Sequence, residues 1–148
     1  MHVSVMLEEA ITALDIIPNG IYVDATLGRA GHSQSIIKKL THGKLIGIDK
    51  DLEALEASKE ILGESAILVH DSFSNIDEIL KGLEIDKING ILFDLGVSSP
   101  QFDKKERGFS YRFDAKLDMR MDQTQKLSAY EVVNEYDEDQ LINILKTY

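Results

Sequence analysis

The chain has no cysteine. That excludes a disulfide framework and a thiolate metal site. It has no apolar run approaching the ~20 residues that a membrane-crossing helix needs, so no membrane partner is expected. A secretory leader is not expected either, because Glu8 and Glu9 come early and no continuous apolar stretch follows. These absences fit a cytoplasmic location. Excess positive charge is also missing: the net charge of −10 argues against a general nucleic-acid surface. Any RNA contact would come from a local patch or from a part not present here. There is no internal repeat, no low-complexity tract and no linker. No His/Asp/Glu cluster has metal-ligand spacing, so no metal is expected. What remains, 148 residues with 43% apolar content, fits one soluble domain.

The apolar residues fall in an alternating order of elements. Leu7, Ala10, Ile11 and Leu14 have helical spacing, with Glu8 and Glu9 in the first turn. Pro18-Asn19-Gly20 is a turn. Strands are expected at Ile21–Asp24, Lys44–Asp49, Ala66–His70 and Ile91–Phe93. Helices are expected at Ser33–Leu40, at Leu52–Leu62 with Gly63 as its C-terminal cap, and around Ile76, Ile79, Leu80 and Leu83 with Ser74 as N-cap. The strands are continuous apolar runs, which predicts a parallel sheet buried on both faces by helices. Ligands in such sheets bind beyond the carboxyl ends of the strands. Asp24, Asp49, His70-Asp71 and Asp94 stand at those four ends. One such Asp would usually be a helix cap; four together read as the rim of a site.

The stretch Asp24-Ala25-Thr26-Leu27-Gly28-Arg29-Ala30-Gly31-His32 joins the first strand to a helix. Strand, Gly-containing turn and helix start form the shape of a nucleotide-cofactor loop, since Gly lets backbone come close to a ligand and the helix start offers N–H groups. Only Gly28-x-x-Gly31 is present, and a tight turn without a ligand is the plain alternative. Asp49, 18 residues after Gly31, is placed to bind ribose hydroxyls or to cap the next helix. The pairing does not separate NAD from S-adenosylmethionine, because both present an adenosine. Phe73 stands where an aromatic ring could stack on adenine, or be plain core.

The fourth strand separates these readings better. Asp94-Leu95-Gly96-Val97-Ser98-Ser99-Pro100-Gln101 puts a carboxylate, a Gly turn and a Pro turn at its end. Enzymes that methylate amines place an acidic or amide residue here. Its acceptor atoms hold the amine N–H groups and orient the lone pair, and positioning can supply much of the rate. Beyond Asp94 the composition changes. Between Gln101 and Lys126 there are seven basic residues (Lys104, Lys105, Arg107, Arg112, Lys116, Arg120 and Lys126) against five acidic ones. Phe102, Phe109, Tyr111 and Phe113 are interleaved with them. Basic and aromatic residues together suit unstacked nucleotides; a solvated loop pinned by its aromatics is the alternative. Capping boxes are expected at Ser128–Glu131 and Asp137–Gln140.

Four stretches carry a resemblance. They are Asp24 to Ser33, Asp94 to Gln101, Glu106-Arg107-Gly108-Phe109-Ser110 and Leu117-Asp118-Met119-Arg120-Met121-Asp122. Together they resemble the ribosomal RNA small subunit methyltransferase H family, in order from about Val3 to Tyr148. The resemblance implies an α/β, Rossmann-like class I methyltransferase fold, present in part as parallel strands 1–4 with flanking helices. It implies an S-adenosylmethionine-dependent enzyme that methylates N4 of a cytidine in the decoding centre of 16S rRNA. By motif matching it places cofactor binding at Ala30, Gly31, His32, Asp49, Phe73, Asp94 and Gln101, with Asp94 also orienting the amine. Ala30 stands where many members have Gly. The target base must leave its stack.

Family members continue past Tyr148, and their seven-stranded sheet has the order 3-2-1-4-5-7-6. The chain is therefore expected to be an N-terminal fragment: residues 1–100 a cofactor-binding half, 101–126 a substrate-side loop, and 127–148 the start of a helical inserted domain. Its fourth strand would be an open apolar edge, which invites a homodimer, strand exchange or aggregation. Two other readings stay open: an NAD-dependent half, argued from Gly28, Gly31 and Asp49, and a non-catalytic module that associates through that edge.

Overall fold

The computed structural model describes residues 4–148; Val3, where the resemblance begins, lies outside them. The chain divides into two compact units, the first ending at Gly96 and the second running from Val97 to Tyr148.

In the first unit the expected alternation is present. The elements are α1 (Leu7–Ala13), β1 (Ile21–Asp24), α2 (Gly31–Ile37), β2 (Lys44–Asp49), α3 (Leu52–Leu62), β3 (Ile67–His70), α4 (Ile76–Gly82) and β4 (Gly90–Leu92). The four strands form one parallel sheet in the order β3-β2-β1-β4. Val23 lies opposite Ile46 and Ile91, and Ile48 opposite Val69. Alternation along each strand sends successive side chains to opposite faces. Val23, Ile46 and Ile48 pack with Ile79 of α4 on one face. Tyr22 and Leu45 pack with Ile11 of α1 and Ile36 of α2 on the other. Both faces are covered, which is why these strands read as unbroken apolar runs.

Several boundaries differ from the sequence reading. α2 begins at Gly31, two residues earlier than expected, because Ala30 takes a left-handed conformation (φ 58, ψ 26) and turns the chain into the helix at once. Ser74 is not the N-cap of α4. Ser72 instead accepts from the Ser74 N–H and opens a short 3-10 turn, Phe73–Asn75, that leads into the helix. Asp51, not Asp49, caps α3, accepting from the Glu53 N–H at 3.1 Å. Gly63 ends α3 at φ +55, as expected.

The second unit holds α5 (Ser99–Asp103), a 3-10 turn (Lys105–Arg107), α6 (Ala129–Glu135) and α7 (Glu138–Thr147). Both expected capping boxes are present, and Ser98–Gln101 forms a third. The stretch between α5 and α6 is not a free loop. Arg107 is buried, and its Nη2 donates to the carbonyls of Arg120 and Met121, each at 3.1 Å. Arg120 makes a two-pronged pair with Asp118, Nε to Oδ1 at 2.9 Å and Nη2 to Oδ2 at 2.6 Å. Its Nη1 donates to the Gln125 carbonyl at 2.6 Å. Two of the seven basic residues therefore brace the chain internally. Gly108 (φ +71) lies so close to this brace that a Cβ there would sit 2.5 Å from the Asp118 nitrogen. Among the described residues, no helix is long and apolar enough to cross a membrane.

Candidate functional site

The site is built at the carboxyl ends of β1, β2 and β4. The loop after β1 continues the sheet for a few residues: the Ala25 N–H donates to the Leu92 carbonyl and the Leu27 N–H to the Ile48 carbonyl. Leu27 packs where β2 carries Gly47; a Cβ there would sit 2.8 Å from Leu27 Cδ1. Gly28 follows at φ +52, and its N–H donates to Asp49 Oδ2 at 2.8 Å. Its carbonyl accepts from Ser58 Oγ of α3, also at 2.8 Å. Ser58 falls on the stripe of α3 that also carries Leu55 and Leu62, and all three are buried. A serine on a core-facing stripe was the available signal for this contact, and the sequence reading passed over it.

Asp49 acts here as a brace. Its second oxygen accepts from the Asp51 N–H at 2.9 Å. Burial raises its pKa, the Asp51 and Gly28 N–H groups pull it back, and the charge of Asp51 adds a smaller upward push. Each oxygen has two lone pairs and accepts one of these bonds, so the carboxylate keeps acceptor capacity for a hydroxyl.

Asp24 is 1% exposed. Its Oδ2 accepts from Ser33 Oγ at 2.7 Å and its Oδ1 from the Thr26 N–H at 3.3 Å. Burial raises its pKa; those two bonds and nearby His32 oppose the rise, and Asp49 adds to it. The four acidic strand ends thus separate by role. Asp24 and Asp49 fasten the loop from inside. Asp71 fastens the next turn, accepting from the Ser72 N–H and from Asn75 Nδ2. Asp94 is the one left exposed.

Asp94 is held through its backbone: its N–H donates to Thr26 Oγ1 at 2.7 Å. Among the described residues, none donates a hydrogen bond to its carboxylate. Asp94 lines a cleft of about 330 Å³ together with His32, Phe93, Ala10, Met6 and Glu9. His32 is 7% exposed, and its Nε2–H donates to the Val5 carbonyl at 3.0 Å. Carbonyls only accept, so this contact fixes the imidazole tautomer. Gly31 is crossed by the same N-terminal segment, where a Cβ would overlap Ser4 Oγ.

Phe73 packs against the sheet core and meets Phe93 edge to face, with ring centroids 5.5 Å apart. Lys50 Nζ lies 5.7 Å from its ring centroid. It is half-buried, so part of the ring stays open to solvent. Gln101 belongs to the second unit, where its Oε1 accepts from the Ser98 N–H at 2.9 Å. The structure therefore gathers Ala30, Gly31, His32, Asp49, Phe73 and Asp94 in the unit that carries the sheet.

This geometry can be compared with known proteins. The chain is 58% identical to the ribosomal RNA small subunit methyltransferase H of Clostridium botulinum strain Kyoto, over 99% of this chain and 48% of that protein. It is 57% identical to the protein of the same name from strain 657, with the same coverage. The chain spans about half the length of these curated relatives. A crystal structure of an rRNA methylase from Streptococcus thermophilus shares the fold at a TM-score of 0.54 and 22% identity, over 65% of this chain and 58% of that one. With residues 1–148 matching throughout, the chain belongs to the MraW methylase family.

Proposed function

We propose that this chain forms the methyl-donor side of an S-adenosylmethionine-dependent enzyme of the cytoplasm. Its acceptor is N4 of a cytidine in the decoding centre of 16S rRNA, within the small ribosomal subunit. One observation carries the reading: Asp94, with an uncommitted carboxylate, and His32 line one cleft at the carboxyl ends of β1 and β4. Family membership and the names of the relatives support it.

The residues present fit the donor. Ala30 and Gly31 open the helix that follows the loop, and Asp49 has acceptor capacity left for ribose hydroxyls. Phe73 offers part of a ring face for the adenine. Once bound, the donor supplies an electrophilic methyl group on sulfur. Asp94 then accepts from the amine N–H and turns its nitrogen toward the cleft, a positioning role. Met6, Ala10 and Phe93 line the cleft with apolar surface.

Calorimetric titration of the 148-residue chain with S-adenosylmethionine, with NAD as control, tests the donor site. Saturable binding of S-adenosylmethionine alone is expected; a preference for NAD would overturn the reading. Mass spectrometry of small-subunit RNA treated with the whole protein tests the acceptor, with N4-methylcytidine as the expected product.

A second reading rests on the sheet order, which ends at β4 with no further strand among the described residues. An open edge of this kind favours a homodimer or another strand partner. Light scattering of the purified chain checks it: a clean monomer counts against it.

A further inference from the structure

The cleft beside α1 contains a second carboxylate. Glu9 sits in the first turn of α1 and lines the cleft. Among the described residues no hydrogen-bond donor and no ion-pair partner reaches its carboxylate. A glutamate in a first helical turn favours the helix through its charge. Glu8 in the same turn can do that equally well, yet it does not line the cleft. Among the described residues, the titratable groups lining the cleft are Glu9, His32 and Asp94. His32 already directs Nε2–H at the Val5 carbonyl. Two carboxylates are therefore left facing a cleft whose other described walls, His32 apart, are apolar. At about 330 Å³ it falls at the small end of small-molecule sites.

Resting on the methyl-transfer reading above, we propose that Glu9 is the second acceptor for the substrate amine and the group that takes its proton. An amine on an aromatic ring presents two N–H donors in one plane, and two carboxylates match them. In the step itself the nitrogen lone pair forms the N–C bond. The C–S bond of the donor breaks, and its electron pair stays on sulfur. One N–H bond then returns its pair to nitrogen and passes the proton to the Glu9 carboxylate. Asp94 is tied at its backbone to Thr26 and keeps the amine in place. Glu9 is exposed at the mouth of the cleft and can release the proton to water.

The test compares the whole protein with its Glu9→Gln and Glu8→Gln variants. Three quantities are read: turnover on small-subunit RNA against pH, affinity for S-adenosylmethionine, and the Glu9 side-chain carboxyl NMR resonance on addition of cytidine. The expected result for Glu9→Gln is a fall in kcat of about 100-fold with loss of the acid limb of the pH profile. Its affinity for S-adenosylmethionine should stay within about twofold, which also shows that the variant folds. Glu8→Gln should match the wild type. Cytidine should shift the Glu9 resonance, and N4,N4-dimethylcytidine, which has no N–H, should not. Equal turnover in the two variants, or a Glu9 resonance blind to cytidine, would overturn the inference alone. A wild type that transfers no methyl group would overturn the underlying reading, and the inference with it.

Discussion

The two units are held together by opposite means. In the first, fourteen apolar residues are buried among the described residues, Tyr22, Val23, Ile36, Leu45, Ile46 and Ile48 included. In the second, the buried residues are Gln101, Arg107, Asp118 and Ser128, all polar. The first unit is driven by removing apolar surface from water, which is non-directional. The second depends on donors meeting acceptors at the right angle, and each missed pair leaves a buried group unsatisfied. The carboxylates record the same contrast. Burial pushes Asp24 and Asp49 up. Hydrogen bonding to Arg120 holds Asp118 down, and hydrogen bonds from Ser128 hold Glu131 down at about 2.

If the second unit is a directional lattice, one added methyl should break it. In Gly108→Ala, the new Cβ meets Asp118 N at 2.5 Å and Lys116 O at 2.6 Å, on a backbone at φ +71. A loss of about 3 kcal/mol or more is expected within this unit. Amide exchange should rise at Met119 and Ala129, which donate to Arg107 and Asp118 carbonyls, while the Ala25 and Leu27 amides stay protected. Equal loss in both units would dissolve the distinction.

In the first unit, the polar bracing serves the loop more than the core. Asp49→Asn replaces one acceptor oxygen with a donor, which then faces either the Gly28 or the Asp51 N–H. Affinity for S-adenosylmethionine should fall by about 2 kcal/mol, roughly thirtyfold, in a calorimetric titration. The melting temperature should move little by comparison.

Acid sharpens the contrast. Asp24 and Asp49 are raised in the folded state, so lowering the pH relieves a penalty there rather than removing a support. Asp118 and Glu131 are lowered, so their support is complete above the unfolded values and is lost as the pH falls through the folded ones. For Glu131 that window runs from its ordinary 4.5 down to about 2. Protection against exchange, relative to the intrinsic rate at each pH, should therefore fall more at Ala129 than at Leu27 on going from pH 5 to pH 3. The reverse order would contradict these shifts.

The smallest effect concerns Ala30, held at φ 58 with 0% exposure. Ala30→Gly removes the left-handed cost and should raise stability by up to about 1 kcal/mol, read from chemical denaturation.

How much was legible in the sequence follows the same division. Apolar runs such as Leu45–Ile48, and stripes such as Leu55 and Leu62, are marks of burial, and burial organises the first unit. The parallel sheet and the position of Asp94 followed from them; the strand order β3-β2-β1-β4 came with the family resemblance. The inward turn of Asp24 and Asp49 did not, because an aspartate at a strand end looks the same whether it meets a ligand or a backbone N–H. In the second unit, Arg107 and Arg120 counted as surface charge on composition alone. Their partners are carbonyls of Arg120, Met121 and Gln125, which carry no side-chain signature. The Ser128–Glu131 and Asp137–Gln140 caps were legible there, since capping depends on side chains at fixed spacing.

Asp49 grips Gly28 and Asp51 at once, joining two chain reversals that lie far apart in sequence. The loop beside it is shaped before any ligand arrives, so little conformational entropy is left to lose on association. Capture should then be a single fast encounter with no slow closing phase, and differences in affinity among loop variants should appear in the rate of departure.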